Sequence, residues 1–587
     1  MNNSYTAPNS HQFTVYAMMV AVFAILFWFH IYPLGLGDVY WHLNTGRWIW
    51  EHGALQQTDP FTYTANTAGD AGPGLVSKDY WQHVTLQGFW LAQLLCYGVY
   101  AAFGLWGLVV FKALLFLAIY GLVYRTLLLE RVQPMLALLV ILAFPVLFYR
   151  FDELRPQVFS FLGVVLVYMI MSMALMRQRT GNANPRILMA LPLIMFVWAN
   201  SHPGFILGWI VIAAILGGEL FDTWRGIGKL ERPALRHLFV WSGIALLASM
   251  INPLAGILFS YAGVVRSQFG FGVDEFLPLF GYARMYGQPF LFYGVLALVL
   301  VTAAAMLMRW KQAGAARLFL FAGFAAAGFY AFRYMIFAVL MVTVIGIPHV
   351  AALLEPYWAR LRLLMVILCL LAASGVGYLA FQRGGWKAGP EETWYVPTGA
   401  ADWIKTQHPP APLFNAYEYG GYLGWRLTPD YKMFVDPRCL DIKVQNAYQT
   451  ARGGFYGDVF DRYGVNTVAF YILTPVVNSI PEITLYLLMD SHWDLVYVDR
   501  ISVVMVRHDR NTMPILDKGP LLDYLQRKLE NTLAQTPGDT QAIVQYGRVL
   551  LYRGDVAGAV QRFRQALEID PQAQAPRFYL NALSRRN

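Results

Sequence analysis

Asp38 follows the first long apolar run, in LGLGDVYWHLNTGRWIWEHG, with Gly35 and Gly37 freeing the backbone before it and Tyr40, Trp41, Trp48 and Trp50 after it. Aromatic residues of this kind gather at membrane–water boundaries, so the carboxylate belongs at the membrane surface, where it can meet a lipid-borne substrate. Other polar side chains stand at the ends of later apolar runs: Arg155 in YRFDELRPQ, Asn200 and His202 in WANSHPG, Asp274 and Glu275 in GVDEFLP, Arg333 and Tyr334 in AFRYM. Ionisable groups in such places are costly and are usually kept for function. A guanidinium can grip a phosphate through two parallel hydrogen bonds, which is the chemistry open to Arg155 and Arg333. Each also has a plainer reading, a salt bridge to Asp152 or Glu153 for Arg155 and interfacial anchoring beside Tyr334 for Arg333. A divalent cation, Mg or Mn, could bridge Asp38 to Asp274 or Glu275, although nothing in the spacing demands a metal.

The elements that must position these residues are membrane helices. The chain of 587 residues is 57% hydrophobic and only 13% charged, about half the charge of a soluble domain. Apolar runs long enough to cross a bilayer occur near 13–31, 105–126, 134–149, 157–176, 187–200, 204–221, 237–254, 288–308, 317–331, 334–354 and 363–381, about eleven helices. The N-terminus is polar, with no basic n-region and no small-residue cleavage site, so the first run reads as a retained span. With the N-terminus in the cytoplasm, the inner loops, among them LLERVQP, RQRTGNANPR, RGIGKLERPALR and RWKQAGAAR, hold about fourteen Lys and Arg. The outer loops hold about seven, namely Arg47, Lys78, Arg150, Arg155, Arg266, Arg284 and Arg333. That bias puts the N-terminus inside, and an odd number of spans puts everything after residue 382 outside. The net charge of +9 then reports orientation rather than a nucleic-acid partner. Three scattered cysteines, Cys96, Cys369 and Cys439, exclude a disulfide framework or a cysteine metal cluster.

The expected layout is a transmembrane domain over 1–382 with a long first outer loop at 32–104, a small α/β domain at 383–515 and a helical tail at 516–587. In the α/β domain, KMFVD, VNTVAFYIL, DLVYVD and ISVVMVR read as strands and PTGAADWIKTQ as a helix. Within NAYEYGGYLGWRL, Gly420 and Gly421 permit a turn or a close approach. Asp436 and Arg438 in the following FVDPR either tie a strand end to the fold or take part in chemistry. In the tail, Gly547, Gly554, Ala559, Phe563, Ala566 and Pro571 fall at the spacings of the tetratricopeptide repeat (TPR). One and a half to two such units are too few for a free-standing solenoid, so the piece should pack on the α/β domain or on a partner protein.

GDVYWHLNTGRWIWEHG with TDPFTYT, then RPQVFS, WANSHPGFILG and NAYEYGGYLGWRL with FVDPR, resemble a widespread bacterial group of GT-C membrane glycosyltransferases over most of residues 1–450. An acidic residue just after the first span, a long first outer loop with interfacial helices and an outer C-terminal domain are similar to that superfamily, which uses polyprenyl-phosphate-linked sugars. The acidic motif here is a single Asp38 rather than two neighbouring acids. The resemblance implies transfer of a sugar or glycan on the extracytoplasmic face of a bacterial inner membrane, from a polyprenyl-phosphate donor embedded among membrane lipids.

Such an inverting transfer needs a base for the acceptor hydroxyl and cations for the phosphate, roles that fit Asp38 and the pair Arg155 and Arg333. His42, four residues on and on the same face of a helix, would orient Asp38 or bind the acceptor, or would simply bond to backbone. Asn200, His202, Asp274, Glu275 and Tyr334 complete the candidate substrate site. The tail would dock an acceptor protein or partner subunit. Two other classes remain open: a transporter or flippase of lipid-linked sugar, and a non-enzymatic assembly subunit that recruits partners through the tail. No P-loop, dinucleotide fingerprint or HExxH is present.

Overall fold

A computed structural model describes residues 10–34, 37–65, 78–179, 185–226, 232–255, 274–383, 396–474 and 479–584. Of the positions picked out above, Gly35 and Arg266 lie outside these residues, as do residues 36, 180–184, 227–231 and 272–273 of the quoted stretches. The chain forms two compact units. One contains residues 1–60, 65–396 and 437–442, the other 61–64, 397–436 and 443–587.

The first unit is helical, and a helix lies over each of the eleven apolar runs. Among the described residues, five helical stretches are long and apolar enough to cross a bilayer, Gln82–Leu129, Gln157–Arg177, Pro203–Trp224, Pro289–Met308 and Phe332–Gln382. Shorter apolar helices include Phe13–Phe29, Pro134–Leu147, Arg186–Ser201 and Ala315–Tyr330. Leu, Val, Ala, Phe and Met form helices here because every backbone N–H and C=O must be paired internally where no water is available. The core is centred on Met335–Leu354, which is buried along almost its whole length. Small residues let neighbours come close: a Cβ on Gly328 would meet Ala338 at 2.4 Å, and one on Gly346 would meet Thr302 at 2.5 Å. Such close backbone packing holds helices together where the solvent is itself apolar.

Two helices, Asp38–His52 and the stretch Trp90–Leu129, follow the first apolar run. Asp38–His52 ends at Gly53, whose left-handed φ of 62° stops it. It packs on the helical stretch Trp90–Leu129, which breaks at Gly104 (φ 64°) into 90–103 and 105–129. A side chain at Gly46 would place its Cβ 2.2 Å from the Gln93 carbonyl oxygen, so the glycine is what allows this approach. The apolar segment before 105 is a helical piece set off by that break.

The second unit holds a four-stranded sheet, β1 (Leu413–Asn415), β2 (Thr467–Tyr471), β3 (Trp493–Val498) and β4 (Ser502–Arg507), in the order β1-β2-β4-β3. β1 and β2 are parallel, and the other two pairings are antiparallel. Three of the expected strands and the helix Thr398–Gln407 are present. KMFVD is not part of the sheet. Met433 instead bridges Thr62, and the edge position goes to Leu413–Asn415, too short to show an alternating pattern. Gly420 makes the close approach its pair suggested, since a Cβ there would lie 2.2 Å from the Val435 carbonyl oxygen.

The tail helices Gly519–Gln535, Thr540–Tyr552, Val556–Ile569 and Gln574–Ser584 belong to this unit. Asp539 and Asp555 cap two of them by accepting from the N–H groups of Ala542 and Gly558. Gly547 lies against the Phe563 ring, and Gly554 turns the chain at φ 85°. The tail packs on the sheet domain through an Arg548–Glu482 ion pair, a Gln545 bond to the Ile480 carbonyl at 2.8 Å and a Tyr486–Tyr579 hydroxyl contact at 2.9 Å.

Candidate functional site

Three connecting segments and one helix start converge in the first unit. Asp38 opens its helix, Arg155 lies in the 150–156 connection, and Asp274–Phe276 and Phe332–Tyr334 are short 3₁₀ turns joined by the Phe332 N–H to the Leu277 carbonyl at 2.8 Å. These segments carry a continuous chain of charge. Arg155 donates from one terminal nitrogen to Asp38 at 3.0 Å and from the other to Glu275 at 3.0 Å. Arg333 reaches the second oxygen of Glu275 at 3.5 Å. All four side chains are half-buried, where Coulomb attraction is stronger than in open water.

The plainer reading of Arg155 differs from what is found: it pairs with Asp38 and Glu275 rather than with its neighbours Asp152 and Glu153. Burial works against its charge, but Asp38, Glu275 and Glu153 outweigh that effect and raise its pKa above the ordinary value. Burial likewise opposes ionisation of Glu275, yet the guanidinium groups of Arg155 and then Arg333 hold its carboxyl below the usual range. The Nε–H of Arg155 is buried and has no partner. Asp274 accepts from the Tyr286 hydroxyl, and the Tyr286 ring lies 5.0 Å from the Arg150 guanidinium. Arg333 also lies over the Phe276 ring, at 5.2 Å. Tyr334 is half-buried at the start of the central helix.

His42 lies one turn beyond Asp38, its Nδ1 3.2 Å from Gln93 Nε2. Burial, followed by the nearby Arg155, His202 and Arg438, pushes its pKa well below the ordinary value, so the ring is neutral near pH 7. The Phe89 ring stands between the two histidines, 5.9 Å from His42 and 5.6 Å from His202. His202 caps the turn after it by accepting the Gly204 N–H on Nδ1 at 2.9 Å, with Ser160 Oγ 2.7 Å away, which assigns the proton to Nε2. Asn200 is fully engaged: it accepts from Trp90 Nε1 at 2.8 Å and donates to the Phe196 and Ile251 carbonyls, each at 2.9 Å. It braces the site from behind.

Sequence reasoning passed over several residues. Glu153 lines a small cavity with Arg150, Arg155 and Gln157, and burial raises its carboxyl above the usual range against the pull of Lys112. Lys112 is itself buried within the Trp90–Leu129 stretch and donates to the Tyr32 carbonyl at 3.2 Å. A lone lysine in LVVFKALL was a signal that could have found it. Asp59 and Arg438 form a fully buried ion pair at 2.7 Å in the same unit. Among the described residues no three His, Cys, Asp or Glu side chains converge as metal ligands.

No protein-family model matches the chain, and no curated protein matches it. Solved structures do. The chain is similar to an archaeal oligosaccharyltransferase, AglB from Archaeoglobus fulgidus, in complex with an inhibitory peptide and a dolichol-phosphate, with 12% identity and a TM-score of 0.50 over 95% of this chain and 86% of that one. An Archaeoglobus fulgidus oligosaccharyltransferase tethered to an acceptor peptide aligns at 13% identity and a TM-score of 0.50, covering 85% of this chain and 75% of that one. ArnT from Cupriavidus metallidurans aligns at 14% identity and a TM-score of 0.47, covering 85% and 98%. The two oligosaccharyltransferases have the GT-C fold, and it is this fold that the chain shares.

Proposed function

We propose that this protein with a GT-C fold transfers a sugar or glycan from a polyprenyl-phosphate-linked donor to an acceptor. The observation that carries the reading is the Asp38–Arg155–Glu275–Arg333 chain, which sets a carboxylate and two guanidinium groups side by side at the ends of apolar helices. Asp38 takes the proton from the acceptor hydroxyl as that oxygen attacks the sugar carbon. The bond from that carbon to the phosphate oxygen breaks, and its electrons stay with the phosphate. Arg333, whose contact with Glu275 is the longest of the three, offers its remaining N–H groups to the departing phosphate, and Arg155 adds its unpartnered Nε–H. The loop-charge bias supports an extracytoplasmic active face in a bacterial inner membrane, with the N-terminus in the cytoplasm and the second unit in the periplasm. The fold neighbour crystallised with dolichol-phosphate and a peptide supports a lipid phosphate as donor carrier and a protein among the candidate acceptors. The TPR-like tail, packed on the sheet domain, leaves its outer helices to hold an acceptor protein or partner subunit.

The test is turnover in detergent. Purified protein is given a panel of radiolabelled polyprenyl-phosphate sugars with membrane and periplasmic extracts as acceptor source. Donor consumption that disappears in Asp38→Asn supports the reading. No consumption of any donor, combined with movement of such lipids across liposome membranes, turns the assignment to a flippase.

A further inference from the structure

Two acids from distant parts of the chain, Asp38 and Glu275, are brought to one place in a half-buried site, and their repulsion has to be met by positive charge. The usual answer for gathered carboxylates is a divalent cation held by several oxygens at about 2.0–2.6 Å. Here the charge comes from the chain itself. One terminal nitrogen of Arg155 faces Asp38 and the other faces Glu275, each at 3.0 Å, so the planar fork spans the two acids as a bridging ion would. The third acid, Asp274, is taken by the Tyr286 hydroxyl, and the second oxygen of Glu275 by Arg333. The acids that a metal would need are thus each engaged by an internal donor, and no set of three metal-ligating side chains converges among the described residues. A doubly charged ion placed between Asp38 and Glu275 would have to displace a guanidinium that cannot lose its proton.

We infer that Arg155 is a built-in substitute for a bridging divalent cation, so that this centre holds its charge balance without a dissociable metal. The inference rests on the proposed transferase reading for its purpose, but its geometry concerns the acids and Arg155 alone. The arrangement divides labour. The terminal nitrogens of Arg155 neutralise and space the carboxylates, which keeps Asp38 oriented beside the acceptor and leaves only its Nε–H for the phosphate, while Arg333 supplies the main grip on it.

The experiment needs neither donor nor acceptor. Full-length protein in detergent, stripped with a chelator, is titrated with Mn²⁺ up to about 1 mM, the weak end of ordinary divalent sites, and bound Mn²⁺ is read by electron paramagnetic resonance. Wild type and Arg155→Lys, which keeps a cation, are expected to bind none at this centre. Arg155→Ala is expected to gain one site at least about tenfold tighter, a difference of about 1.4 kcal/mol, and Arg155→Ala/Asp38→Asn to lose it again. Stoichiometric Mn²⁺ on wild type that vanishes in Asp38→Asn overturns the inference, and that measurement stands even if Arg155→Ala does not fold. A folded Arg155→Ala that binds no Mn²⁺ overturns it too, because the vacated acids then could not have been a metal's place. If the protein transfers no sugar but the Mn²⁺ results hold, the proposed function fails and the substitution stands.

Discussion

Asp59 and Arg438, 379 positions apart in the chain, meet in a 2.7 Å ion pair with their side chains 0% and 1% exposed. Asp59 belongs to the TDPFTYT stretch that follows the helix opened by Asp38, and Arg438 to FVDPR, so the late motif is tied to the segment after that helix. A charge left alone at such depth is costly: removing one partner of a buried pair typically destabilises by about 3–5 kcal/mol. Arg438→Met should therefore lower the midpoint of thermal unfolding in detergent more than Asp59→Leu/Arg438→Met does, since the double variant leaves neither charge stranded. Equal losses in the single and double variants would show that the pair is not coupled.

Asp38→Asn keeps the shape and hydrogen bonding of the side chain but removes the base. Transfer should fall by about 10² to 10⁴, the range for loss of a general base, while insertion, yield and elution volume stay as in wild type. A variant with near-normal product formation would hand the role to Asp274 or Glu275.

Arg333→Lys keeps a positive charge and loses the planar fork, so donor use should weaken, and Arg333→Ala should weaken it further. The readout is the donor concentration needed for half-maximal rate. A flippase would instead show its defect only in liposomes, where sides exist, and no change in any detergent reaction.

The Glu275 pKa is depressed by Arg155 and Arg333, and a group of this kind adds stability that is present above its unfolded value and lost as the pH falls through its folded one. Wild type should thus be more stable than Glu275→Gln at pH 7, and the gap should begin to close once the pH drops below about 4.3. A gap that widens on acidification would contradict the sign of the shift. Melting curves of the two proteins at pH 3.5 to 7 measure it.

A cytoplasm-only reporter joined after Asn587 should be silent, as the charge bias of the loops requires. Strong activity would place the second unit and the proposed active face on the inner side.

The sequence carried the helices well, because runs of Leu, Val, Phe and Ala leave the backbone no other way to satisfy itself in lipid. It also carried the grouping of Asp38, Arg155, Glu275 and Arg333, since each stands at the end of an apolar run. Their pairing was not legible. Arg155 has Asp152 and Glu153 beside it in sequence, and only the convergence of three distant segments makes Asp38 and Glu275 the nearer acids. Asn200 looked like a contact for substrate, but its amide is spent on Trp90, Phe196 and Ile251. The Leu413–Asn415 strand was missed because three residues carry no period, and the partner of Arg438 because nothing local announces an acid 379 positions upstream.

The discontinuity of the two units sets a timetable for synthesis. Residues 61–64 wait for Met433, whose N–H and carbonyl bond to the Phe61 carbonyl and the Tyr63 N–H, while Asp59 waits for Arg438. At about 5–20 residues per second, a ribosome needs about 20–80 s to travel from one partner of that ion pair to the other. For all of that interval the stretch after the Asp38 helix is made without Arg438, and their ion pair can form only when nearly three-quarters of the chain has been made. A nascent chain stalled before Arg438 would consequently carry every residue of the Asp38–Arg155–Glu275–Arg333 chain and still lack the buried ion pair that ties down the segment after the Asp38 helix.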